Sequence, residues 1–147
     1  MPSPKPRCAI LAAEFAKAVV DVMVDEASRE AASGGADVVK VIRVAGAYEL
    51  PLLADVLLAN SEIDFVVVLG FIERGATQHG EVMGHVVHQT LVDLQLKYRK
   101  PMGLAIIGPG ATLEQAGTRM AEYARAAVKA ALVNWAIVGK ELHFDLP

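Results

Sequence analysis

Four short segments carry groups able to do chemistry: AAEF (Ala12–Phe15), VAGAYELP (Val44–Pro51), GFIERGATQH (Gly70–His79) and IIGPGAT (Ile106–Thr112). In the third, Gly75, Ala76 and Thr77 are small and stand just before a helical pattern. Backbone N–H groups in such a turn converge on an anion, and the positive end of the helix dipole assists them. The Lys and Ser/Thr spacing of a P-loop is missing, so the segment alone is a nonspecific anion signal. His79 follows, and an imidazole, which ordinarily titrates near pH ~6.5, suits proton transfer beside an anion. An exposed histidine at a helix start is also often incidental. In the second segment Tyr48 offers a flat ring, and Glu49 offers an acceptor for hydroxyls at a helix N-terminus, where an acidic residue is in any case ordinary. Phe15 provides a stacking face, or else a core residue at a helix start. Arg119 on the last helical pattern is a phosphate ligand if a phosphate is delivered to it, and otherwise a solvated charge. Strand-to-helix turns need small residues whatever they do; it is the four segments together that point to a site.

These segments need a frame that brings them to one edge. Buried strands are expected at RCAILAAE (Arg7–Glu14), VVKVIRV (Val38–Val44), DFVVVLGFI (Asp64–Ile72) and MGLAIIG (Met102–Gly108). Helical spacing runs through 16–33, 49–60, 80–99 and 112–138, with Gly34 as a C-terminal cap, Pro51 in a first turn and Thr112 as an N-cap. Continuous apolar strands alternating with helices imply a parallel sheet covered on both faces, with right-handed crossovers giving a three-layer α/β/α sandwich. In that architecture ligands lie beyond the carboxyl ends of the strands, where all four segments fall.

The chain of 147 residues suits one domain, 1–147, with an extended arm at 1–6 and a tail at 139–147. Hydrophobic residues make up 54%, which leaves apolar surface for subunit contacts. A net charge of −3 argues against nucleic acid, and no apolar run is long enough to span a membrane. The single Cys8 has no internal disulfide partner and suits a reducing cytoplasm. His85 and His88 are too few ligands for a metal, so no metal is expected. Trp135 and Tyr123 read as core or subunit-packing residues.

Taken in order, AEF, GAYELP, LGFIERGATQH and KPMGLAIIGPGATLEQAGTR resemble the lumazine synthase family, closest to its archaeal-type branch, from Cys8 to the last helix. The resemblance implies a flavodoxin-like sandwich with a four-stranded parallel sheet. It implies condensation of 5-amino-6-(D-ribitylamino)uracil with 3,4-dihydroxy-2-butanone 4-phosphate to 6,7-dimethyl-8-ribityllumazine, phosphate and water, with no metal or organic cofactor. It also implies a homo-oligomer of pentamers, in many members a shell of twelve, with sites between neighbouring subunits and riboflavin synthase as a partner.

Position by position, the resemblance assigns Phe15 to stacking on the pyrimidine and Ala47 and Tyr48 to the ribityl and ring pocket. Glu49 would hold ribityl hydroxyls, and Phe71 and Ile72 would bind the ring. Gly75, Ala76 and Thr77 fall to the phosphate side and His79 to proton transfer. Leu104 and Arg119 would come from the adjacent subunit, the latter to bind phosphate. Three departures stand out: Ala16 replaces a common asparagine, Glu73 a common aliphatic residue, and the lysine of bacterial-type members has only Arg125 as a candidate. The rival expectations are an archaeal-type riboflavin synthase, a non-catalytic flavin-binding module and an inactive shell protein.

Overall fold

The apolar run after Asp64 becomes strand β3 (Phe65–Glu73), whose first eight residues are all buried. Burial on both sides is possible because successive side chains point to opposite faces. Phe65, Val67, Leu69 and Phe71 belong to one core layer, and Val66, Val68 and Ile72 to the other. β3 lies between β1 (Arg7–Ala13) and β4 (Met102–Ala111), with β2 (Asp37–Val44) outside β1. The computed structural model, which describes residues 5–142, thus has a four-stranded, wholly parallel sheet in the order β2-β1-β3-β4. Helices α1 (Lys17–Ser33) and α4 (Leu113–Ala136) cover one face. Helices α2 (Leu50–Ala59) and α3 (His79–Tyr98) cover the other. This is the three-layer α/β/α sandwich expected from the alternating pattern, in the flavodoxin-like form that the resemblance implied.

The strand order contains one reversal. From β1 the chain runs outward to β2, then returns to the opposite side of β1 for β3. The connections that leave β1 and β3 therefore pass to opposite faces, α1 on one and α3 on the other. Ligands of open α/β sheets bind in the crevice that opens at such a switch point. Here the segments that leave it are those of Phe15 and of Arg74–His79.

Three features differ from the sequence expectation. β2 is an edge strand rather than a doubly covered one: Val39 and Val41 are each 46% exposed. β4 continues through Gly108, Pro109 and Gly110 to Ala111, which pairs with Glu73 beyond a register shift. Gly108 makes this possible, since φ is +94° and a Cβ there would lie 2.1 Å from the Ile72 carbonyl oxygen. The last helix passes at Ile137–Glu141 into a turn of π-helix, so the tail expected from 139 starts later. Residues 1–4 of the expected arm and 143–147 of the expected tail lie outside the described residues.

Lys100 was invisible as a structural residue in the sequence. It is only 3% exposed, and its Nζ donates to the carbonyls of Leu58 (2.9 Å) and Asn60 (3.0 Å) at the end of α2. The ammonium thus satisfies helix-end carbonyls left without intrahelical donors. Burial pulls its pKa below the ordinary lysine value, partly opposed by the nearby Asp64 carboxylate.

Helix α4 approaches the sheet closely at Gly103, where an added Cβ would lie 2.2 Å from the Ala127 carbonyl oxygen. Backbone cannot yield there without moving the helix. Gly103→Ala should cost about 3 kcal/mol or more by overpacking. Gly117→Ala, at a helix position with nothing within 4 Å of the new Cβ, should stabilise by about 0.5–1 kcal/mol. Denaturant midpoints of the two variants check this; equal midpoints would refute it.

Cys8 is fully buried in β1, and burial pushes its thiol pKa from 9.0 up to about 12. The folded thiol therefore stays protonated where the unfolded one ionises. Its contribution to stability is complete below about pH 9 and is lost as pH rises toward about 12. At pH ~8 a thiol reagent should label the native protein far more slowly than the denatured one, because only the thiolate attacks. Fast labelling of the native protein would contradict the burial.

Candidate active site

A hollow of about 350 Å³ opens where the chain reverses direction across the sheet, and Phe15, Ala47, Phe71, Ile72, Thr77 and His79 all line it. That volume lies in the range of small-molecule sites. Phe15 is 52% exposed, and its ring is 6.5 Å from that of Phe71, tilted by 31°. An exposed aromatic with one face on another ring leaves the opposite face for a flat ligand.

Ala16 explains how Phe15 reaches this place. It sits in the left-handed region, with φ 56° and ψ 62°, between β1 and α1. A left-handed residue reverses the chain sharply, and its carbonyl accepts the first bonds of α1 from Val19 (2.9 Å) and Val20 (3.2 Å). Asparagine tolerates this conformation better than alanine does. The asparagine that the resemblance leads one to expect here would therefore have a backbone reason as well as any ligand reason.

The Tyr48–Glu49 pair lies in a 3-10 turn, Ala47–Glu49, that precedes α2. Glu49 Oε2 accepts from the Gly46 N–H (3.0 Å), so one oxygen already ties the turn together. Tyr48 is 47% exposed and meets His79 edge to face, ring centroids 6.2 Å apart.

The connection from β3 to α3 supplies the other wall. Arg74 N donates to the Ala111 carbonyl (2.7 Å), which fastens the start of this loop to β4. The Thr77 hydroxyl accepts from the His79 N–H (3.3 Å) and so orders the first turn of α3. Gly75 lines the hollow with them, whereas Ala76 is an exposed loop residue that lines none of the hollows seen. Glu73 and Arg74 make no ion pair with each other among the described residues. Met83, one turn after His79 on α3, also lines the hollow. Sequence reading passed over it, although its spacing from His79 was the available signal.

Five of the expected residues do not line this hollow: Tyr48, Glu49, Ala76, Leu104 and Arg119. Leu104 is half-buried on the edge strand β4 and packs with the α2/α3 core layer. Arg119 lines a second hollow of about 370 Å³, with Gln115, Tyr123 and the Gly108–Ala111 segment. Pro109 and Gly110 also border a third hollow, shared by Arg74, Gly75 and Thr77. Arg7, Arg29, Arg43 and Arg125 each hold a carboxylate, but Arg119 holds none among the described residues.

Arg125, the candidate stand-in for a site lysine, reaches across to Glu26 of α1 (2.9 Å). His88 Nδ1 is bonded to the Gly84 carbonyl (2.7 Å), and His85 Nε2 is 3.9 Å from Glu81. Among the described residues no group of three or more His, Cys, Asp or Glu side chains could hold a metal ion. No helix there is long and apolar enough to cross a membrane.

Comparison with known proteins gives the same direction as this geometry. The model of a family described as 6,7-dimethyl-8-ribityllumazine synthase matches residues 5–137. A 6,7-dimethyl-8-ribityllumazine synthase of Aeropyrum pernix is 44% identical over 139 residues, 94% of either chain. One of Metallosphaera sedula is 42% identical over 123 residues, covering 84% of this chain and 82% of its own. One of Pyrobaculum arsenaticum is 41% identical over 126 residues, covering 86% and 84%. The chain belongs to the 6,7-dimethyl-8-ribityllumazine synthase family.

Proposed function

We propose that the chain condenses 5-amino-6-(D-ribitylamino)uracil with 3,4-dihydroxy-2-butanone 4-phosphate, releasing phosphate and water and forming 6,7-dimethyl-8-ribityllumazine in riboflavin biosynthesis. The observation that carries this reading is the single hollow that holds an exposed stacking ring, Phe15, opposite a hydroxyl-and-imidazole wall, Thr77 and His79. Phe15 and Phe71 take the pyrimidine between apolar faces. Glu49 accepts hydroxyls of the ribityl chain, and Ala47 and Ile72 shape the ring pocket. The phosphate side is formed by Gly75, Ala76 and Thr77. His79 moves protons during carbinolamine dehydration, phosphate loss and ring closure.

The bulk of the acceleration comes from holding two reactants in register, which is worth up to about 7–11 kcal/mol when orientation is good. Proton transfer adds to that. No cofactor enters, since the phosphate is an intrinsic leaving group and the amines are intrinsic nucleophiles.

The assembly proposed is a pentamer or a multiple of it, in which Leu104 and Arg119 of one protomer complete the hollow of the next. Two features support it. Arg119 has no carboxylate partner among the described residues, and Leu52, Val56, Val82 and Val86 leave apolar side chains exposed on α2 and α3. A cytoplasmic setting and contact with riboflavin synthase belong to the same proposal.

The test is to mix both substrates with the protein and follow lumazine absorbance together with phosphate release. Equal molar amounts of both products are expected. No new chromophore, or conversion of preformed lumazine to riboflavin, would overturn the proposal.

A further inference from the structure

The second hollow contains more than Arg119. Gln115, Arg119 and Tyr123 stand four residues apart along α4, so their side chains form one stripe, and all three line the hollow. Gln115 Oε1 accepts from the Thr112 N–H (2.9 Å) in the capping box of α4. With its oxygen occupied, the amide keeps its NH₂ as a donor. Tyr123 is 39% exposed, and its hydroxyl makes no hydrogen bond among the described residues. None of the residues lining this hollow carries a carboxylate. A helix face that presents a guanidinium, an amide and a phenol, with no internal acceptor to occupy them, fits a ligand with several acceptor oxygens and negative charge.

We propose that Tyr123 is a phosphate-recognition residue: its hydroxyl donates to the phosphoryl group that Arg119 holds, one helical turn beyond it. This rests on the reading of Arg119 as the phosphate ligand of a neighbouring protomer's site. It replaces the sequence expectation of Tyr123 as a packing residue. A guanidinium binds two phosphoryl oxygens in a fork, and a phenol one turn away reaches a third. Together they distinguish a phosphorylated ketone from its free alcohol.

The test compares Tyr123→Phe, which keeps the ring and removes only the donor, with Tyr123→Lys, which restores a donor of a different kind. Gln115 is a poor target because its removal also uncaps α4. For Tyr123→Phe the KM for the phosphorylated ketone should rise about tenfold, the loss of one hydrogen bond to a charged group. The inhibition constant of inorganic phosphate should rise by the same factor. The kcat and the KM for the pyrimidine should stay within about twofold of wild type. Tyr123→Lys should recover most of the loss.

Unchanged KM and phosphate inhibition in Tyr123→Phe would overturn the proposal. So would a parallel rise in both KM values with loss of assembly in sedimentation, which is the signature of packing. Calorimetric titration of the full assembly with inorganic phosphate separates the two levels. If wild type makes no lumazine yet Tyr123→Phe weakens phosphate binding, the reaction assigned above fails and the phosphate role of Tyr123 stands.

Discussion

Arg119→Ala should lower kcat/KM for the phosphorylated substrate by about 10²–10³-fold, nearly all of it through weaker binding of the phosphoryl group. The magnitude follows from what is left behind. On the proposed reading, a doubly charged ester at a protomer seam would lose this guanidinium, and amides and hydroxyls would supply only partial charge in its place. Arg119→Lys should fall between the two, since an ammonium matches the charge but not the two-pronged geometry. The KM for the pyrimidine should move little. Stability should also move little, because Arg119 makes no ion pair within its own chain among the described residues. Steady-state kinetics with each substrate varied in turn checks this. An unaltered KM for the phosphorylated ketone would remove Arg119 from the site.

His79→Ala should slow kcat by about 10²-fold, at the lower end of what general acid–base catalysis supplies. The lower end is expected because His79 is exposed at the mouth of the hollow, where water and buffer reach the same protons. Activity therefore persists, and added imidazole or small amine buffers should recover part of it. Tyr48 packs its ring against the imidazole at 6.2 Å and limits where it points. A His79 variant that turns over at the wild-type rate would exclude the proton-transfer role.

The frame was legible in the sequence for a simple reason. A strand covered on both faces has to be apolar at every position, and FVVVLGFI (Phe65–Ile72) is, so β3 could be read without coordinates. Thr112 announced α4 because a hydroxyl before a helix with glutamine three residues later satisfies two backbone N–H groups locally. Much of the candidate hollow's lining could also be read, since the segments after β1 and β3 carry polar, aromatic and small residues in short contiguous words such as GATQH. Local pattern, local capping and local motif are all interactions between near neighbours in the chain.

What the sequence could not decide depends on residues far apart. Whether β2 is central or at the edge is a matter of strand order, and its Val39 and Val41 look like core until β1 proves to have only that one outer neighbour. Lys100 reads as a surface charge until α2 ends within reach of its Nζ, some forty positions earlier in the chain. That Arg125 meets Glu26 of α1, and that Tyr123 shares a hollow with Arg119, is likewise set by how α4 packs. Composition and periodicity determine what each segment can become. Only tertiary structure decides which face of a helix is covered and which charge finds a partner, because those contacts are set by how the layers close over one another.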